Sequence, residues 1–166
     1  ENVVETGGVL VLRSSNIQNG ILTFENNVFV DCYISEKNFV KENDILICVR
    51  NGSKNLIGKC ALITKENETF AFGAFMAVFR SDSNKFLFHV FQTGLFLKQV
   101  NEHLGATINQ ITNASLNSFS FKFPCHEEQI KIASFLTYID EKINQCQFQI
   151  EKTEVWKKGL LQKMFV

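Results

Sequence analysis

The segment of residues 123–165, FPCHEEQIKIASFLTYIDEKINQCQFQIEKTEVWKKGLLQKMF, does most to decide the fold of this 166-residue chain. Its ladder positions recur at steps that alternate between four and three residues, which is a heptad a/d pattern. This spacing predicts one long α-helix, from His126 to Met164, that packs against a partner helix. The ladder consists of Ile132, Leu136, Ile139, Ile143, Cys146, Ile150, Thr153, Lys157, Leu160 and Met164.

The flanks of this segment also indicate a helix. Pro124 is the only proline of the chain and is predicted to lie in the first turn. At a rise of about 1.5 Å per residue the helix would be about 58 Å long. We expect it to form a homodimer, and the alternative is an amphipathic helix that lies on its own domain. The residues predicted for dimerisation are Ile132, Leu136, Ile139, Ile143, Cys146, Ile150 and Leu160.

The composition indicates one globular domain with an appendage. Hydrophobic residues make up 45% of the chain, which excludes a disordered protein. The 17 basic and 17 acidic residues balance, which counts against a nucleic-acid binder without excluding one. Five cysteines without a CxxC pair are typical of a cytoplasmic protein, and neither a signal peptide nor a membrane span is predicted. Because the chain begins with Glu1, we expect a piece of a longer protein or a trimmed one.

Residues 1–123 predict a mixed α/β domain with many short strands, so that the fold class of the whole chain is α+β. The apolar runs 44–49 and 57–63 surround a polar loop and predict a β-hairpin or a tight β-arch. A further strand is predicted from Ala74 to Arg80, and helices are predicted after Ser83 and after Gly94. The alternation of Phe119, Phe121 and Phe123 with polar residues predicts a last strand over 116–123. Residues 124–166 form the second predicted domain.

The sequence lacks the common catalytic motifs. It contains no GxSxG, no glycine-rich phosphate loop and no HExxH. The histidines His89, His103 and His126 show no metal-ligand spacing. A methyltransferase motif of the Asn/Asp-Pro-Pro-aromatic type is excluded by the single proline. We therefore expect a protein that is not an enzyme and that uses no metal and no cofactor.

Several of these residues carry a family resemblance. Phe123-Pro124 followed by residues 127–133 resembles the Pro-x-x-x-Glu-Gln-x-x-Ile/Ala motif that opens the conserved helix of type I restriction–modification specificity (S) subunits. Residues 150–165 resemble the usual end of that helix. Weaker similarities lie at 13–20, 43–47, 50–53, 57–59 and 105–110. At the position of Asn43 the family usually has glycine. The chain is thus similar to half of an S subunit, with one target recognition domain and one conserved-region helix.

The resemblance implies a non-catalytic reader and ruler of DNA. In this family two recognition domains read the two halves of a bipartite target, and two long helices pair antiparallel to fix the spacing. Methylation subunits bind around the helices, and restriction subunits join those. The single recognition domain here implies either a fragment of a full subunit or a natural half-subunit that dimerises. Two alternatives stay open: the recognition domain of a single-chain type II restriction–methylation enzyme, and a coiled-coil oligomerisation scaffold with a protein-binding head.

Three sets of residues are candidates for DNA contact. Arginine pairs bidentately with guanine and asparagine with adenine, whereas lysine and serine suit phosphates. The polar loop between the two apolar runs combines all four residue types, although a solvated polar turn would look the same. Arg80 and Lys85 are further candidates for phosphate contact. The three sets are Arg50, Asn51, Gly52, Ser53, Lys54 and Asn55; Arg13, Ser14, Ser15 and Asn16; and Thr107, Asn109, Gln110 and Thr112.

Overall fold

The computed structural model describes residues 3–5, 7–105 and 109–165. The chain divides into two compact units, Glu1–Phe123 and Pro124–Val166. The first is a mixed unit of short strands and helices, and the second is one long helix, so the predicted α+β fold class is confirmed. The strands are β1 Val3–Val4, β2 Val9–Leu12, β3 Ile17–Gln18, β4 Ile21–Leu22, β5 Phe29–Val30, β6 Ile45–Cys48, β7 Cys60–Leu62, β8 Ala71–Phe72 and β9 Met76–Phe79.

Helical segments fill the rest of the regular structure. The α-helices are α1 Asn84–Phe91, α2 Gly94–His103, α3 Asn113–Ser118 and α4 His126–Met164. Short 3-10 turns lie at Ser14–Asn16, Glu36–Asn38, Lys54–Leu56 and Lys65–Asn67. The helices predicted after Ser83 and Gly94 correspond to α1 and α2.

The strands form three small sheets. One sheet has the order β1-β5-β2-β8, in which β2 and β8 are parallel. A second pairs β3 with β4 around Asn19 and Gly20, whose positive φ angles of 50° and 81° suit a tight hairpin turn. The third has the order β7-β6-β9 and contains the predicted hairpin, because β6 and β7 pair antiparallel with Ile45 opposite Leu62.

The core of the globular unit lies around β6. All four of its residues are buried, as expected for a continuous apolar run covered on both faces. Aromatic residues of the helices pack beside it, and the rings of Phe91 and Phe96 stack with their centroids 4.4 Å apart. Gly58, with φ of 86°, lets the chain approach α2 closely, since a Cβ there would lie 3.3 Å from Phe96. The β6–β7 hairpin is thereby fixed to the helical side of the core.

The strand predicted over residues 116–123 is wrong. The chain forms α3 up to Ser118, and Thr112 caps this helix by accepting a hydrogen bond from the Ser115 backbone N–H (3.1 Å). Phe119 and Phe121 do pack against the core, whereas Phe123, the third phenylalanine of the predicted face, is exposed. No strand forms because the Gln99 side chain bonds both the N–H and the carbonyl oxygen of Ser120, at 2.9 and 3.1 Å.

The helix α4 begins and ends as predicted. Its N-terminus differs in detail, since Cys125 is the N-cap and Pro124 precedes it instead of lying in the first turn. The backbone N–H of Cys125 donates to the Glu128 carboxylate (3.2 Å), and the Gln129 amide donates to the Pro124 carbonyl oxygen (3.0 Å). The first of these bonds satisfies an N–H group that a helix start leaves free.

The predicted seam of α4 is uncovered. Leu136 is half-buried, and the other residues predicted for dimerisation are exposed, namely Ile132, Ile139, Ile143, Cys146, Ile150 and Leu160. Pairing through this seam stays a prediction.

Candidate nucleic-acid interface

The polar loop that follows β6 is held by backbone hydrogen bonds to two other segments. The N–H groups of Val49 and Arg50 both donate to the carbonyl oxygen of Phe75, at 3.0 and 3.2 Å. On the other side, Arg50 forms an isolated antiparallel bridge with Gln110. The Asn51 N–H donates to the Asn109 carbonyl oxygen (3.2 Å). The loop thus continues the end of β6 as the middle of a small three-segment platform.

Side chains connect the same loop to the end of β2. The Asn51 amide donates to the Ser14 hydroxyl (3.0 Å) and accepts from the Ser53 backbone N–H (2.9 Å). The Asn109 amide donates to the Gly52 carbonyl oxygen (2.9 Å). Asn51 therefore bonds one residue from each of the other two predicted sets, Ser14 and Asn109, although the three are distant in sequence. We call the exposed surface around these bonds, formed by Arg13, Ser14, Ser15, residues 50–55, Phe75, Asn109 and Gln110, the loop surface.

The outer groups of the loop surface are donors or cations. Arg50, Lys54 and Gln110 are exposed, and Lys54 begins a short 3-10 turn. The Arg50 guanidinium carbon lies 5.0 Å from the centroid of the Phe75 ring, which is a cation–π distance. Arg13 is also exposed and donates to the Asn26 carbonyl oxygen (3.2 Å). Such groups can bind phosphates and the acceptor edges of bases.

The group beneath the loop is uncharged. Cys48 is fully buried, and burial raises the pKa of its thiol above the ordinary value. The thiol donates a hydrogen bond to the Arg50 carbonyl oxygen (3.5 Å). The positive charge of Arg50 therefore has no thiolate counter-ion below it near neutral pH.

Two of the predicted residues do not contribute to the loop surface, and a third lies outside the described residues. Asn16 is fully buried, where its amide oxygen accepts from the Arg13 N–H (3.0 Å) and its amide nitrogen donates to the Thr23 carbonyl oxygen (3.0 Å). Thr112 serves as the cap of α3. Thr107 lies outside the described residues.

Arg80, a candidate for phosphate contact, is bound within the unit. Its guanidinium donates to both carboxylate oxygens of the buried Asp44, at 2.7 and 2.6 Å. The hydrogen bond to Asp44 raises the pKa of Arg80 further. Arg80 therefore fixes β9 to the start of β6 and does not present a free fork.

Phe75 is a surface residue that the sequence reasoning missed. Phe75 falls within the strand predicted from Ala74 to Arg80, whereas β9 begins at Met76. A turn closed by the Met76 N–H and the Gly73 carbonyl oxygen (2.9 Å) leaves Phe75 52% exposed. The glycine two residues before it was the available sequence signal for this turn.

The described residues show neither a cluster of metal ligands nor a helix that could span a membrane. Over residues 3–5, 7–105 and 109–165, no three His, Cys, Asp or Glu side chains gather as a metal site would require. In the same part of the chain, none of the helices combines the length and hydropathy needed to cross a membrane.

Specificity subunits of type I restriction enzymes are similar to most of this chain. The StySPI specificity subunit of a type I restriction enzyme from Salmonella potsdam is 29% identical over 91% of this chain and 34% of that protein. The EcoKI specificity subunit from Escherichia coli (strain K12) is 32% identical over 87% of this chain and 30% of that protein. The HindI specificity subunit from Haemophilus influenzae is 28% identical over 85% of this chain. This chain therefore spans about a third of the length of these relatives.

Solved structures share the fold. The crystal structure of the HsdS subunit from Thermoanaerobacter tengcongensis has a TM-score of 0.64 over 93% of this chain and 41% of that chain, at 16% identity. A second match is a chain from a solved structure that concerns complex assembly and conformational transition of the type I R-M system. Its TM-score is also 0.64. That match covers 98% of this chain and 38% of the other, at 20% identity.

The chain also matches a family of domains over most of its length. The family described as the type I restriction modification DNA specificity domain matches residues 2–152, which include the loop surface and most of α4. By this match, and with the fold and the relatives in agreement, the chain belongs to the family of type I restriction–modification DNA specificity domains.

Proposed function

We propose that the globular unit reads one half of a bipartite DNA target within a type I specificity subunit. The observation that carries this proposal is the convergence of Ser14, Asn51 and Asn109, which hydrogen bonds join into one loop surface. Arg50 and Lys54 give this surface a fork donor and a point charge. Arginine is the usual partner of guanine in the major groove, and lysine suits the phosphates.

The charge balance of the chain sets the expected strength of binding. With 17 basic and 17 acidic residues, the chain attracts DNA only through local groups such as those of the loop surface. We expect the isolated chain to bind weakly and with a steep dependence on salt. Full affinity would require methylation subunits that embrace the same duplex.

The helix α4 would set the distance between two recognition surfaces. Its exposed seam fits a second helix of the same kind, from a second copy or from the other half of a longer chain. Since the globular unit precedes the N-terminus of α4, antiparallel pairing would place two such N-termini at opposite ends of the pair. The separation would then be about the 58 Å length of 39 helical residues.

In this proposal the chain is not an enzyme, and its partners perform the chemistry. Methylation subunits would bind around the paired helices, and restriction subunits would join through them, in the cytoplasm, where the DNA lies. The relatives reported above are type I specificity subunits, which favours this function over a single-chain type II enzyme or a scaffold with a protein-binding head.

A binding selection tests the reading function directly. The full chain would be incubated at low salt with randomised duplexes, and the bound fraction would be sequenced over several rounds. Enrichment of a short defined sequence supports the proposal. The matched control is an R50A/K54A variant, for which we expect the enrichment to fall. If the unsubstituted chain enriches no sequence, either alone or reconstituted with methylation subunits, the reading function is refuted.

A further inference from the structure

The three arginines of the globular unit are used in different ways. Arg80 is committed to the buried Asp44, with both carboxylate oxygens occupied. Arg13 donates one bond to a backbone carbonyl oxygen. For Arg50, the described residues offer no acceptor to the guanidinium, and its contact there is the face of the Phe75 ring. Arg50 is thus the arginine whose N–H donors all remain available for a ligand.

The contact between Phe75 and Arg50 rests on a fixed backbone. The Phe75 carbonyl oxygen accepts from the N–H groups of both Val49 and Arg50. The turn that carries Phe75 is itself anchored, because the Gly73 N–H donates to the Leu12 carbonyl oxygen (2.9 Å). Gly73 also lies against the Arg13 side chain, since a Cβ there would lie 3.7 Å from the Arg13 Cγ. The Phe75 backbone is therefore held close to both Arg13 and Arg50.

Resting on the proposed DNA-reading function, we infer that Phe75 is a positioning residue that holds the Arg50 guanidinium for a single base pair of the target. A guanidinium binds the face of an aromatic ring without using its N–H donors. The ring can therefore restrict the long side chain while the fork stays free for the O6 and N7 acceptors of guanine. Ordering the side chain before binding lowers the entropy lost on binding.

The half-exposed state of Phe75 agrees with this role. A ring kept only for the core would be buried, as Phe91 and Phe96 are, whereas 52% of Phe75 is exposed. Its removal should therefore leave the fold intact. The contact with Arg50 also explains why a large apolar side chain lies among polar groups at this surface.

The experiment compares base discrimination across single variants. The duplex preferred in the selection would be altered at each base pair in turn, and the dissociation constant of each duplex would be measured for the full chain and for R50A, F75A, F75Y and F75L. We expect R50A and F75A to lose discrimination at the same single base pair. The loss for F75A should be about twofold to thirtyfold, as expected for a cation–π contact.

The conservative variants separate positioning from packing. F75Y keeps a ring and should restore discrimination to within about twofold of the original, whereas F75L keeps bulk without a π face and should behave as F75A does. The double variant F75A/R50A should be no worse than R50A, because the two residues act as one unit. Leu95→Ala, which removes an exposed apolar side chain from α2, is the control and should change nothing.

Two results would overturn the inference while leaving the reading function in place. One is an F75A variant that keeps full discrimination at the base pair that R50A loses. The other is a loss at F75A that is equal for all duplexes, or that F75L repairs, since either result indicates packing alone. Failure of the reading function itself looks different, because the unsubstituted chain would then show no preferred duplex at all.

Discussion

In the globular unit Leu12, Ile45 and Phe96 are completely buried, whereas in the helical unit Ile143 and Trp156 are more than half exposed. The first unit covers its large apolar side chains with its own sheets and helices. The second is a single helix whose apolar ladder meets solvent. Leaving an isoleucine exposed forfeits roughly 1.5–3 kcal/mol relative to its burial, and the seam contains several. The globular unit covers its core by itself, whereas we expect the helix to bury its ladder in a contact with a partner helix.

The largest expected effect breaks that contact. Ile143→Asp places a charge at the centre of the seam, and a symmetric pair would lose two buried isoleucines, at a cost of about 3–6 kcal/mol. We expect the dissociation constant of a homodimer to rise by a factor of about one hundred or more. Light scattering at tens of micromolar protein would measure it. Asn144→Asp adds the same charge on a face away from the seam and should leave the dimer intact. A monomeric unsubstituted chain at this concentration would contradict the prediction.

The second prediction concerns the globular unit, which covers its core by itself. Arg80→Ala removes both side-chain hydrogen bonds to the Asp44 carboxylate, which is 1% exposed. A hydrogen bond to a charged group contributes about 1.5–3 kcal/mol, so the free energy of unfolding should fall by at least that amount. Urea denaturation would measure it, with the same loss at every protein concentration. Lys98→Ala breaks only an exposed pair with Glu102 and should cost less than about 0.5 kcal/mol. Equal effects of the two variants would argue against the role of Asp44.

The third prediction separates two groups of the loop surface. Arg50→Ala should cost about 1–3 kcal/mol of DNA affinity and relax the preference at one base pair. Lys54→Ala should weaken all sequences alike and reduce the slope of log affinity against log salt by about one. Titrations at several salt concentrations would distinguish the two. If both variants bind as the unsubstituted chain does, the reading surface lies elsewhere on the globular unit.

The smallest effect is a rate of thiol labelling. Burial raises the pKa of Cys60 to about 12, so little thiolate forms at pH 8, and we expect Cys60 to react only after unfolding. Cys48, also buried, should behave in the same way. The exposed Cys146 lies in the seam, and its labelling should slow severalfold as protein concentration rises. The exposed Cys32 serves as the internal control and should show no such dependence. Equal rates at all concentrations for Cys146 would indicate an unpaired seam.

The two units also differ in how far the sequence predicted them. The bounds of α4 and the β6–β7 hairpin follow from periodicity and turn residues, which are local properties of the chain. The strand predicted over 116–123 failed for a nonlocal reason. Its phenylalanines alternate as in a strand, but the Gln99 side chain occupies the backbone groups of Ser120 that a neighbouring strand would need.

The candidate site shows the same division. Sequence chemistry singled out Arg50, Asn51 and Asn109, and the fold brings them together. The fold also turns Asn16 inward, where it bonds Thr23, and places Phe75 at the tip of a turn. The turn at Phe75 had a local signal in Gly73, whereas the burial of Asn16 depends on which segment packs alongside.

By itself, the sequence determined that the chain ends in a long helix with an apolar seam, that many short strands precede it and that a polar loop interrupts two buried runs. These features arise from residues a few positions apart, whose spacing fixes which side they share. Tertiary structure alone decided which polar groups meet at the loop surface and which arginine keeps its donors free. Burial and hydrogen-bond partners there are supplied by residues tens of positions away, as when Ser14 meets Asn51 and Asp44 meets Arg80.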